Sequence, residues 1–439
     1  MARKIILILM TIFLMEVNLF AGVEFKEKML SNGVNLVYKY IPNVKVTSVH
    51  VWMKTGSVNE TEEINGISHF LEHLVFKGTK KYKPDEIDSI VESKGGLMNA
   101  ATSKDYTFYF ITIPSFNAEV AFDVISEMVF NATFIKEEID KERPVVIQEI
   151  KRKYDYPTYD MWKFISDTLY RGTPYSREII GTEENIKNFT RQQIVDYYNK
   201  YYHPENMTLV VVGDIAYSDA EKLAKKYFNK TKDAKVGKHY TLDKDIKLDK
   251  DIVKIFEKDL ALTYVAITYP AFPVTDDRYY AADVLSEILS GGENSILSEE
   301  LKKKEHLVTS ISAAYMGQKH VGSFVIYYTC EDKNTLLAYK KIKKVLDDII
   351  SGKIDENMLE RAKNRLKSSV VFKREKTSSE AMDIGYSYTL DIKDNYFNYT
   401  KLIDKVSIKD LQQLAKSVFS NSKVISSTSK SELNFPVED

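Results

Sequence analysis

An α+β fold made of two homologous halves is predicted by three observations. Short alternating apolar stretches are mixed with long helical patterns in no strict alternation, which favours a sheet with helices on one face. The 439 residues exceed one ordinary domain of roughly 100–200 residues. The order of elements also recurs after a charged stretch near the middle, and residues of the two copies match at a nearly constant offset.

The chain opens with an address. Arg3 and Lys4 precede an apolar run from Ile5 to Met15 broken only by Thr11, and Ala21 offers a small residue before Gly22. This is the layout of a secretory signal peptide over residues 1–21. Glu16 ends the run well short of the ~20 residues a membrane helix needs. Leu19 is large for its place before the cut, so an uncleaved anchor is the competing reading. An exported protein, periplasmic or extracellular and without a membrane span after cleavage, is the expectation.

The first half, residues 22–230, begins with strands in NGVNLVYKY and KVTSVHVWMKTG. Helices are predicted over 65–77 and 84–93, paired strands over 97–113, and long helices over 117–131 and 135–155. A helix over 190–202 ends at His203-Pro204 and leads into the strand MTLVVVGD. A polar, charged linker, 231–251, separates it from the second half, 252–439. There a strand in LALTYVAITYP, a helix over 277–289, strands near 307–329 and helices over 333–351 and 355–375 repeat the plan. Thr190, Ile194, Tyr197 and Tyr202 match Ser407, Leu411, Leu414 and Phe419 at an offset of 217. Ile135, Glu137 and Ile139 match Ile354, Glu356 and Met358 at 219.

Composition narrows the chemistry. Lys and Arg total 62 against 63 Asp and Glu, so no basic excess points to nucleic acid or an anionic membrane. The single cysteine, Cys330, permits neither an internal disulfide nor a thiolate-rich zinc site. A metal must therefore sit on His, Asp and Glu.

Two of the seven histidines stand in His69-Phe70-Leu71-Glu72-His73, within the helical pattern NGISHFLEHLVFKG. Spacing of four puts both imidazoles on one helix face, one turn apart, where they reach one ion. Glu72 projects to the same side and reaches a water beside that ion without coordinating it. Two imidazoles and a carboxylate suit zinc and leave a fourth position open. The order is the inverted H-x-x-E-H form of the zinc-peptidase motif. In KEEIDKERPVVIQEIKRKY, Glu142 and Glu149 lie seven apart on one helix face and offer the missing carboxylate. The bland readings are two histidines in surface or capping contacts and an ordinary acidic helix face.

GISHFLEHLVFKGTKKY, followed by GGLMNAATSKDYTFYF and ERPVVIQEI, resembles the insulinase (pitrilysin, mitochondrial processing peptidase) family of zinc metallopeptidases. The resemblance is to its short-subunit branch, covers essentially the whole mature chain and is strongest over about 50–155. It implies two halves forming one side of a clamshell and one Zn2+ per chain. The ion would be held by His69, His73 and Glu149, with Glu72 as general base and Glu142 orienting a ligand. It also implies an edge strand at Gly95–Ala100, with Asn99 and Ala100 meeting the substrate's main chain. Substrates would be peptides or unfolded segments.

One departure stands out. Where complete family members carry an Arg and, seven residues later, a Tyr that steady the oxyanion, LKKKEHLVTSISAAY places Lys302 and Thr309. Lys302 lacks the planar fork of arginine and Thr309 lacks a phenol's reach. The resemblance then implies a second, homologous subunit supplying the Arg/Tyr pair in a heterodimer. A homodimer, or use of Tyr315 instead, is the alternative. The competing functions are a non-catalytic assembly or chaperone-like subunit and a maturation peptidase dedicated to one precursor.

Overall fold

The computed structural model describes residues 25–231, 235–242 and 246–436. Residues 1–21, expected to be a signal peptide, and parts of the stretch expected to be a linker lie outside the described residues. In the first half, β1 (Phe25–Met29), β2 (Asn35–Tyr40), β3 (Val46–Met53), β4 (Leu97–Thr102), β5 (Thr107–Pro114) and β6 (Met207–Gly213) form one sheet ordered β1-β2-β6-β3-β5-β4. Its helices are α1 (Ile67–Leu74), α2 (Glu86–Ser93), α3 (Ala118–Asn131), α4 (Lys136–Tyr154), α5 (Tyr159–Leu169), α6 (Glu183–Asn188), α7 (Arg191–Tyr201) and α8 (Tyr217–Phe228).

The second half holds β7 (Ile252–Glu257), β8 (Thr263–Ala271), β9 (Ser310–Gly317), β10 (Gly322–Cys330) and β11 (Val424–Ser429), ordered β7-β11-β8-β10-β9. Its helices are α9 (Tyr279–Ser290), α10 (Thr335–Ile350), α11 (Glu356–Arg374), α12 (Thr377–Thr389), α13 (Lys393–Lys405) and α14 (Ile408–Phe419).

The duplication predicted from residue matches is visible in the topology. Removing β1 leaves β2-β6-β3-β5-β4, the order of the second sheet strand for strand. In both, one pair is parallel (β2 with β6, β7 with β11) and the others are antiparallel. The matched helices α7 and α14 even begin alike. Thr190 and Ser407 each accept the backbone N–H three residues on, and Gln193 and Asp410 reach back to the N-cap N–H. Each closes two orphan donors reciprocally.

Strand alternation then decides which face meets what. In β3, Val49, Val51 and Met53 enter the large core under the half's own helices, whereas Trp52 points to the other face. That second face is covered by a helix from the opposite half. Ala381, Ile384 and Tyr388 of α12 pack on Val37, Trp52, Val210 and Val212. Reciprocally, Met161, Ile165 and Leu169 of α5 pack with Ala266 and Val424 of the second sheet. The helices α5 and α12 occupy corresponding places in the repeat, so the halves exchange equivalent elements. Neither of these two helices was among those predicted from the sequence. Periodicity reports that a helix has an apolar face and says nothing about which sheet receives it.

Close approach at this seam depends on one glycine. A Cβ on Gly385 would lie 2.0 Å from Trp52 Nε1. Gly385→Ala is therefore expected to destabilise the protein by about 1–3 kcal/mol through overpacking, despite the gain of up to ~1 kcal/mol in helix propensity. Thermal unfolding of the variant checks this, and a raised melting temperature would refute it.

His50, on the same face of β3, is fully buried and stacks on Phe110 with ring centroids 5.0 Å apart. Neither ring nitrogen has a hydrogen-bond partner among the described residues. Burial holds its pKa down to about 3. The unfolded chain takes a proton on this ring below about pH 6.5 and the folded chain does not until about pH 3. The unfolded state thus binds more protons in that window, and stability falls as the pH drops through it, by up to about 1.4 kcal/mol per unit. His50→Phe should flatten this slope in urea unfolding between pH 6.5 and 4.5; an unchanged slope would contradict it.

Candidate active site

Helix α1 carries the motif because its two sides differ. Ile67, Phe70, Leu71 and Leu74 are buried in the first core, leaving His69, Glu72 and His73 on the opposite side. Its N-terminus is held by a buried carboxylate. Glu60 accepts the N–H groups of Gly66 (2.8 Å) and Ser68 (2.8 Å) and the Asn65 side-chain amide (2.9 Å). A negative group is favoured there by the helix dipole and the unsatisfied N–H groups. Burial raises the Glu60 pKa, and those hydrogen bonds pull it back. At Gly66, with φ 99°, a Cβ would lie 2.8 Å from Gly181 Cα, itself at φ 77°. Two glycines back to back thus bring the Ile179–Ile180 loop against the ligand helix.

Helix α4 crosses beside α1 and presents Glu142 and Glu149. Single ligand atoms of His69, His73 and Glu149 all lie within 4.8 Å of one another. His69 Nε2 is 3.6 Å from Glu149 Oε1 and His73 Nε2 is 3.6 Å from Glu149 Oε2. A tetrahedral ion about 2.1 Å from each ligand needs ligand atoms ~3.4 Å apart, so the set fits zinc. Glu142 is placed behind it. Its Oε1 meets His73 Nδ1 at 2.9 Å, and its Oε2 meets Lys77 Nζ at 3.0 Å. This contact turns His73 Nε2 toward Glu149.

The electrostatics of the two histidines differ. Burial, with help from the charges of His73 and Lys153, holds the His69 pKa down to about 3, so that ring stays neutral. Burial also lowers that of His73, but the hydrogen bond and charge of Glu142 outweigh it and the net shift is upward. Burial raises the Glu72 pKa toward the range useful to a base, against hydrogen bonds from Thr102.

Thr102 was not singled out from the sequence. It ends β4, and both its hydroxyl and its backbone N–H meet Glu72. β4 is the edge of the first sheet, as the resemblance implied. Asn99 is exposed on it, and the Asn99 side chain accepts the Ala100 N–H at 2.8 Å. A cavity of about 590 Å³ opens at His69, Thr102 and Glu149 and continues over Arg152, Lys153, Tyr156, Ile179 and Ile180. Glu60 and Thr102 carried no signal beforehand. One is an acid in an acidic run, the other a threonine in a strand, and only folding brings them to the motif.

Among the described residues, no hydrogen bond or ion pair joins Lys302 or Thr309 to the cluster. Lys302 lies in the π-helix Ser298–Lys304 and pairs with Glu293 at 3.4 Å. Thr309 Oγ1 donates to the Thr329 carbonyl at 2.9 Å. The phenol of Tyr315 is likewise engaged, donating to the Phe272 carbonyl at 2.8 Å.

Two α+β halves of one topology, with an inverted His-His-Glu cluster in the first, define the class of zinc-peptidase-like proteins. The family described as insulinase (peptidase family M16) matches residues 35–183, and the one described as peptidase M16 inactive domain matches 188–366. A Bacillus subtilis protein named uncharacterized zinc protease YmxG is 31% identical over 352 residues, 80% of this chain and 84% of its own. The beta subunit of the mitochondrial-processing peptidase of Dictyostelium discoideum is 26% identical over 90% of this chain and 86% of its own. The crystal structure of a protease from Helicobacter pylori superposes with a TM-score of 0.86 at 27% identity, covering 93% of this chain and 99% of that one. The chain belongs to the insulinase family, peptidase family M16.

Proposed function

We propose that the protein is a zinc-dependent endopeptidase or oligopeptidase acting on peptides or unfolded segments. The observation that carries this is the convergence of His69, His73 and Glu149 within 4.8 Å, with Glu72 beside them. His69, His73 and Glu149 would hold one zinc ion per chain, which when bound would supply Lewis acidity and a water of lowered pKa, about 7. The chain's own groups do the rest. The Glu72 carboxylate takes the proton of the attacking water and hands it to the leaving amine. Thr102 holds that carboxylate in place. Glu142 fixes the ring of His73, and β4, at Asn99 and Ala100, pairs with the substrate's main chain.

The second half, 252–439, is proposed to be a structural partner without a metal, joined to 22–230 by the linker 231–251. Lys302 and Thr309 support a further step: a homologous subunit supplies the Arg/Tyr pair in a heterodimer. The relative named as a beta subunit is in keeping with this. Residues 1–21 are proposed to direct export to the periplasm or exterior. No helix among the described residues is long and apolar enough to cross a membrane.

The test is cleavage of a quenched peptide library by the purified chain, with and without phenanthroline. Chelator-sensitive cleavage is expected, and an inert, zinc-free chain would favour an assembly role. Adding a homologue that carries the Arg and Tyr should raise the rate roughly 10²-fold or more, the usual worth of an oxyanion donor. Full activity of the chain alone would end the heterodimer proposal.

A further inference from the structure

Of the four edge strands, β1, β4, β7 and β9, the duplication makes β4 and β9 equivalent, and each runs beside the helix that follows its half's long antiparallel strand. The pairing of β9 with β10 leaves the main-chain groups of Ala313 and Tyr315 pointing away from the sheet. A cavity of about 550 Å³ lies alongside them, lined in part by Ser286, Ser290, Ala313 and Tyr315. An exposed edge beside such a cavity is a template for another strand.

Two serines of α9 already occupy that template. Ser290 Oγ accepts the Ala313 N–H at 2.8 Å and donates to the Ala313 carbonyl at 2.9 Å. Ser286 Oγ accepts the Tyr315 N–H at 3.0 Å and donates to the Ala282 carbonyl at 2.8 Å. In the first half the geometry differs where it matters. Glu72 stands 214 residues before Ser286 and meets Thr102, 213 residues before Tyr315. Phe76, 214 before Ser290, offers no hydroxyl to Ala100, the counterpart of Ala313. The Ala100 N–H is met by its neighbour Asn99.

We infer that Ser286 and Ser290 close the edge of the second sheet, so that peptide strands add to β4 and not to β9. Ser290 is thereby a specificity-determining residue: it directs an extended substrate to the edge beside Glu72 and denies it a second, unproductive edge. A strand arriving at β9 must break bonds to both serines and leave their hydroxyls without those partners, which weakens binding there by roughly tenfold or more. The confinement to β4 rests on the reading of that strand as the substrate strand; the closure of β9 does not.

Residue-resolved hydrogen exchange tests both parts. In the free protein, the Ala313 and Tyr315 amides should exchange at least tenfold more slowly than in the S286A/S290A double variant, with both proteins melting cooperatively. With zinc-loaded Glu72→Gln and a bound unstructured peptide, amides of 97–102 should slow while those of 310–317 stay unchanged. Restoring the peptide's access by S286A/S290A should make both strands respond. Equal exchange of Ala313 and Tyr315 with and without the serines would overturn the closure, as would peptide protection of β9 while the serines are present. A peptide that protects neither strand would count against the functional reading, while the free-protein comparison still decides the closure.

Discussion

Glu72→Gln is expected to keep zinc bound and to lose about 10²–10⁴-fold in kcat, the usual share of general acid–base catalysis. The amide has nearly the shape of the carboxylate and still accepts from Thr102, so α1 and the edge of β4 should stay in place. What it lacks is a basic oxygen. Burial raises the carboxylate's pKa while the Thr102 bonds restrain it, so it is more basic than an exposed glutamate. Steady-state cleavage of a quenched peptide, measured beside zinc content, separates loss of the base from loss of the metal. Retained turnover in a zinc-replete variant would overturn the mechanism.

Glu149→Ala is expected to lose the metal itself. Zinc binding worth roughly 10–16 kcal/mol shared over four ligands is about 2.5–4 kcal/mol each, so removal of one should weaken affinity on the order of 10²–10³-fold, enough for dialysis against a chelator to empty the site, and cleavage should fall to background. Glu149 is the cleaner ligand to remove because its side chain is 42% exposed and its loss leaves no buried charge. His73→Ala should lose zinc as well, but it strips Glu142, only 8% exposed, of one of its two partners. That variant should therefore also be less stable, since an under-paired buried carboxylate is costly. Zinc analysis of both variants, with melting curves, checks the pair. Wild-type zinc content in Glu149→Ala would remove that residue from the site.

Much of this site was legible because its signals are local. Spacing of four in His69–His73 and of seven in Glu142–Glu149 are helix periods, and a helix period needs no knowledge of the fold. The offset of 217 was legible for a similar reason: Thr190, Ile194 and Tyr197 and their matches Ser407, Leu411 and Leu414 keep one spacing along a helix. The parts that were not legible are set by tertiary contact. Glu60, Thr102, Ser286 and Ser290 are common residue types whose roles come from what lies across a gap of tens of residues. The exchange of α5 and α12 is of the same kind, since an amphipathic pattern names a face without naming its partner. Gly385 is the same case: its reason is the ring of Trp52, which only the fold brings near.

The central claim is that one zinc ion sits on this triad. Anomalous diffraction at the zinc edge from crystals of the purified chain tests it directly. The account predicts a single strong peak about 2.0–2.2 Å from His69 Nε2, His73 Nε2 and a Glu149 oxygen, lost in Glu149→Ala. No peak in zinc-supplemented crystals, or one elsewhere with the triad empty, would contradict it.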